Sequence, residues 1–107
     1  DEKLAYWKNL PKQIASDQKR TVIWGSGSKC VAFMTTLNVK DEIEYVVDIN
    51  PYRHDKFLPS IGKKIVPPGF LMKYAPDVTI VMNPIYRQEI KQTLDEMGVS
   101  TEVITVE

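Results

Sequence analysis

Thr21-Val22-Ile23-Trp24-Gly25-Ser26-Gly27-Ser28-Lys29-Cys30 decides the fold. Its first four residues are β-branched or aromatic, the composition of a short buried strand. The run ends abruptly at Gly25-Ser26-Gly27. From Ser28 to Leu37, Val31, Met34 and Leu37 then recur at helical spacing. Strand, glycine turn and helix in that order open a βαβ unit.

Downstream, Glu44 to Ile49 reads as a second strand, with Tyr45-Val46-Val47 at its centre. A continuous apolar run suits a parallel strand covered on both faces. Asn50-Pro51 ends it, and Tyr52 to Gly62 is polar, with proline and glycine punctuation, which predicts a loop. Lys64-Ile65-Val66 reads as a third strand, Gly69 to Tyr74 as a short helix at most, and Asp77 to Met82 as a fourth strand broken by Asn83-Pro84. Ile85 to Met97 has helical spacing, with Ile85, Ile90, Leu94 and Met97 expected inward and Gly98 just past the end. Thr101 to Val106 closes the chain as a strand.

Upstream, Leu4, Trp7, Leu10 and Ile14 mark an amphipathic helix, which Pro11 either kinks or restarts. This order predicts a Rossmann-like three-layer α/β/α fold with a parallel sheet of about five strands in the order 3-2-1-4-5. Gly25 and Gly27 are expected at the carboxyl end of the central strand. Residues 1–19 are expected to form a leading helix at the junction to a preceding domain, and residues 20–107 the Rossmann-like domain. The first residue is Asp1 rather than methionine, which fits a piece of a larger enzyme.

The 107 residues carry equal numbers of acidic and basic side chains, so the formal net charge is zero. That argues against a nucleic-acid partner, which needs a basic face. Lys63-Lys64 is a short basic candidate and is ordinary for a solvated loop. No apolar run reaches membrane-spanning length, so no membrane partner is expected. The single cysteine, Cys30, excludes an internal disulfide and suggests a reducing, cytoplasmic location. No set of Cys, His and carboxylate residues has metal-ligand spacing.

Gly25, Ser26, Gly27 and Ser28 are the first candidate binding residues. In this G-x-G-x-x-C turn Gly25 permits the tight turn, Gly27 lets a ligand approach the backbone, and the helix from Ser28 offers free N–H groups to an anion. The opposing account is that the glycines only make the turn. Cys30 stands where a third glycine would bring helix and sheet closest. Asp48 lies 21 residues after Gly27, where an acid would accept hydrogen bonds from a ribose, or where Asp48 and Asn50 would simply start a turn with Pro51. Asn83 and Tyr86 follow the fourth strand and are expected to face the same crevice, or else Asn83 and Pro84 only begin the next helix. Ile23 and Lys29 stand where a turn binding S-adenosylmethionine has an acid and a third glycine, so this turn does not read as the methyl-donor site. His54 reads as a solvated loop residue and Cys30 as a small packing residue, with no catalytic role expected for either. Trp24 reads as core. Trp7 reads as helix packing, or as part of a surface facing a neighbouring domain.

Taken together, Val22 to Lys29, Tyr45 to Pro51, Ile65 to Pro68 and Val81 to Tyr86 resemble the C-terminal domain of sugar C-methyltransferases. The resemblance covers about Leu4 to Val106. It implies a three-domain parent with a zinc-binding N-terminal region, a middle domain that binds S-adenosylmethionine, and this Rossmann-like domain. The parent would methylate a carbon of a nucleotide-linked sugar, and the methyl donor and general base would belong to the middle domain. On this view the chain holds the substrate or closes over it and is inactive alone. Its partners are the nucleotide-linked sugar and the middle domain. The competing hypothesis is a free-standing nucleotide- or dinucleotide-binding module, supported by the glycine turn and Asp48.

Overall fold

A computed structural model describes residues 2–39, 41–58 and 61–106, and the side chains of these except at 2–6, 11 and 15. The expected inward position of Leu4, and residues 59 and 60 of the expected loop, lie outside the described residues. Five strands form one sheet in the order β3-β2-β1-β4-β5: β1 Thr21–Trp24, β2 Ile43–Val47, β3 Lys64–Val66, β4 Val78–Val81 and β5 Glu102–Thr105. All four ladders are parallel. At the carboxyl end of the central strand, Trp24 pairs with Val47 on one side and Val81 on the other. Every residue of β1 and β4 is buried, as expected of strands covered on both faces.

Helices α1 (Glu2–Asp17), α2 (Ser28–Thr36), α3 (Leu71–Tyr74) and α4 (Arg87–Glu96) flank the sheet. Alternate strand residues build two cores. One joins Ile23, Val46, Ile65 and Ile80 to Leu10 and Ile14 of α1 and to Cys30 and Met34 of α2. The other joins Val22, Trp24, Val47 and Val81 to Leu71 of α3 and to Ile90 and Leu94 of α4. The two-residue period of the strands thus sends successive side chains to opposite layers. Trp7 meets Phe33 of α2 edge to face, with centroids 5.4 Å apart. The helical backbone of α1 passes through Pro11.

Three strands end in proline-led 3-10 turns: Pro51–Arg53 after β2, Pro68–Phe70 after β3 and Pro84–Tyr86 after β4. These turns correct three expectations. The strand expected to Ile49 stops at Val47, because the Asp48 side chain accepts from the Asn50 N–H at 2.9 Å and folds the chain over. The stretch from Tyr52 to Gly62 is not wholly irregular, since the first of these turns opens it and Phe57 bridges to Lys64. Ile85 faces solvent, 78% exposed, because Pro84–Tyr86 winds at three residues per turn and the helical register begins only at Arg87. Ile90 and Leu94 are buried as expected.

Candidate functional site at the carboxyl edge of the sheet

Gly25 leaves β1 at φ 120°, a conformation L side chains rarely adopt, and a Cβ there would meet Met82 Cβ at 3.3 Å. The turn is therefore closed to any larger residue at this point. Gly27 differs. Its φ is −76°, it caps α2 without a side-chain bond, and an added Cβ would have no atom within 4 Å. Nothing in the fold requires glycine at 27.

The turn is clamped to the segment after β2. The Ser26 N–H donates to Asp48 Oδ2 at 3.2 Å, and the Ser26 hydroxyl donates to the same oxygen. Arg53 Nη1 donates to Ser26 Oγ at 3.0 Å and lies 3.7 Å from Asp48 Oδ2. Partial burial pushes the Asp48 carboxyl up. The Ser26 hydroxyl, the N–H groups of Asn50 and Ser26 and the Arg53 guanidinium together outweigh it, and the pKa lies below the ordinary 3.8. His54 is a correction. It is half-buried rather than solvated, and its Nε2 donates to the Asp48 carbonyl at 2.6 Å, since a carbonyl can only accept.

Both turn-forming accounts hold. The Asn50 side chain accepts from the Tyr52 N–H at 3.0 Å, and the Asn83 side chain accepts from the Ile85 N–H at 3.2 Å. The same residues also border hollows. A cleft of about 380 Å³ opens between the ends of β1, β2 and β4 and the first turns of α4. Gly25, Asp48, Asn83 and Tyr86 line it, with Trp24 and Ile49 among its apolar walls. Ser26, Gly27 and Ser28 line a different hollow, on the α2 side. The seven expected residues thus lie together at the carboxyl edge but divide between two hollows.

Arg53 was not among the expected residues. Its signal in sequence was a cation just past Asp-x-Asn-Pro, whose compact turn brings it back over the glycine turn. Cys30 is fully buried, and burial, with the Asp48 charge adding to it, pushes its thiol up to about 12, so it is a packing residue. Among the described residues, no group of three His, Cys, Asp or Glu could hold a metal ion. No helix among them is long and apolar enough to cross a membrane.

The architecture is shared with known proteins. The structure of UDP-D-quinovosamine 4-dehydrogenase from Vibrio fischeri is similar over 83% of this chain and 78% of that one, with a TM-score of 0.65 at 19% identity. RSP, a Rex-family repressor, is similar over 92% of this chain and 58% of its own, with a TM-score of 0.57 at 17% identity. RSP in complex with β-NAD+ and operator DNA gives 92%, 56%, 0.58 and 17%. The chain thus spans little more than half the length of the repressor. Identities this low show a common Rossmann-like fold and nothing more. No curated protein sequence matches the chain. The model of one family does match, over residues 5–105 and so nearly the whole chain, and by that match the chain belongs to the C-methyltransferase C-terminal domain family.

Proposed function

We propose that this chain serves an S-adenosylmethionine-dependent C-methyltransferase acting on a nucleotide-linked sugar, and that it holds the substrate or closes over it. The cleft at the carboxyl edge carries this proposal. Its walls from Trp24, Ile49 and Val81 suit the C–H faces of a sugar, while Asp48, Asn83, Glu89 and Tyr86 at its rim offer partners to hydroxyl groups. The cleft lies where ligands bind in open parallel sheets, beside the point at which strand order reverses. Residues 1–19, on this reading, are the junction to a preceding domain, and the enzyme works in the cytoplasm. The partner over the cleft is the middle domain.

The methyl donor and zinc belong to other domains. When bound there, S-adenosylmethionine supplies an electrophilic methyl group. The residues of this turn do not fit it: Ile23 is fully buried where a donor-binding turn has an acid, and Lys29 replaces the glycine.

The test is Tyr86→Ala in the full-length enzyme. Tyr86 is 53% exposed and takes no part in either core, so the melting temperature should hold while kcat/KM for the nucleotide-linked sugar falls about tenfold or more. Unchanged kcat/KM in a stable variant would overturn the proposal. A second reading, a dinucleotide-binding module, is favoured by Asp48 standing beside the glycine turn at the end of β2. It requires NAD+ to bind at micromolar Kd; the first reading does not.

A further inference from the structure

We infer that the nucleoside diphosphate part of the ligand lies in the hollow on the α2 side, and that the glycine turn is the ridge over which the ligand crosses into the cleft. This rests on the nucleotide-sugar reading above and divides its ligand between two sites. The α2-side hollow encloses about 500 Å³ between Ser26 and Gly27 of the turn and Arg53, Lys56 and Phe57 of the segment after β2.

Charge separates the two hollows. The charged residues lining the α2-side hollow are Arg53 and Lys56, with no carboxylate. Those lining the cleft are Asp48 and Glu89, with no cation. Arg53 and Asp48 pair across the turn at 3.7 Å, so Lys56 in one hollow and Glu89 in the other carry the contrast, and a strongly anionic diphosphate is favoured on the α2 side. Sugar hydroxyls are donors and find acceptors in the cleft. Each hollow therefore matches one end of a nucleotide-linked sugar. One nitrogen of Arg53 holds Ser26, while the guanidinium carries five N–H donors, which leaves others for phosphate oxygens.

Two further observations fit the assignment. Phe57 is 61% exposed beside these cations. It is a large apolar ring that a stacked nucleobase would cover. Gly25 borders the cleft, while Ser26 and Gly27 border the other hollow. Successive Cα atoms lie about 3.8 Å apart, so the wall between the hollows is one or two residues thick, and a diphosphate can span it. At Gly27 that wall carries no side chain, although the fold would admit one.

The experiment is calorimetric titration of the full-length enzyme with UDP and TDP. Lys56→Glu and Phe57→Ala are each expected to raise the Kd about tenfold without changing the melting temperature. Lys56→Gln should give a smaller rise in the same direction. Thr93→Phe, which fills the cleft from α4, is expected to leave the nucleoside diphosphate Kd within about twofold while weakening the nucleotide-linked sugar. If the Lys56 and Phe57 variants bind as the wild type does and Thr93→Phe loses binding, the nucleotide sits in the cleft. The inference is then wrong, although the nucleotide-sugar reading stands. If the wild-type enzyme binds neither nucleoside diphosphate and does not turn over nucleotide-linked sugars, both fail.

Discussion

At the scale of single residues, two glycines in one turn do different things. Gly25 is needed by the backbone, and Gly25→Ala should destabilise the protein by about 1–3 kcal/mol in chemical denaturation, because φ 120° strains any Cβ and Met82 crowds it. Gly27 is needed by nothing inside the fold. Gly27→Asp adds a side-chain cap to α2 and should keep stability or raise it by a few tenths of a kcal/mol. It also sets a carboxylate where an anionic ligand would pass, so kcat/KM of the full-length enzyme should fall about tenfold or more. A stable Gly27→Asp enzyme with full activity would show that the turn only turns. Asp48 adds a pH signature. Its folded pKa is depressed, so it stabilises the fold fully above its unfolded value, near 3.9, and that stability is lost as pH falls through the lower folded value. Urea midpoints measured from pH 5 down to pH 2 should fall more steeply for wild type than for Asp48→Asn.

At the scale of elements, turn chemistry decides what the edge of the sheet presents. Each proline-led turn stops its strand and begins a tight winding, with Asn50 and Asn83 accepting from the first free N–H. Their exposed neighbours Ile49, Tyr52, Ile85 and Tyr86 stand at this edge for that reason. Helix α3 ends in strain. Ala75 adopts φ 54° and ψ 67° immediately before Pro76, and its N–H still bonds to the Leu71 carbonyl at 2.9 Å. Ala75→Gly relieves a left-handed conformation that costs an L residue about 1–2 kcal/mol, less the entropy that glycine loses on folding. The expected gain is roughly 0.5–1 kcal/mol, read as a shift in urea midpoint at unchanged slope.

At the scale of the whole molecule, the sheet separates two cores and carries its candidate sites on the edge common to both. The cleft lies on the α4 side and the basic hollow on the α2 side, so a ligand touching both would couple the two layers through the turn between them. The glycine turn has Ile23 and Lys29 where a methyl-donor site has an acid and a third glycine. The 107-residue chain by itself should therefore neither transfer a methyl group nor bind S-adenosylmethionine tightly. Calorimetric titration with the donor checks this. Micromolar affinity, worth about 8 kcal/mol, would place the donor here and displace the sugar reading.

Strand order, parallel pairing and both cores follow from patterns local in the chain: the β-branched run before Gly25, the continuous apolar stretches at Tyr45–Val47 and Val78–Val81, and the helical spacing of Ile90 and Leu94. A period of two or of 3.6 residues specifies which face is buried, and right-handed crossovers then leave one order of strands. The placement of the seven candidate residues at one edge was legible for the same reason, since it follows from fold position. Tertiary structure alone decided the rest. Spacing could not show that Arg53 returns to Ser26, that His54 is held by the Asp48 carbonyl, or that Ile85 turns outward. Nor could it show that Gly25 and Gly27 border different hollows, or divide the acidic cleft from the basic hollow. Each of these depends on where a turn redirects the chain: Asn50 and Asn83 shape their turns locally, but what a redirected residue then meets lies in segments distant in sequence.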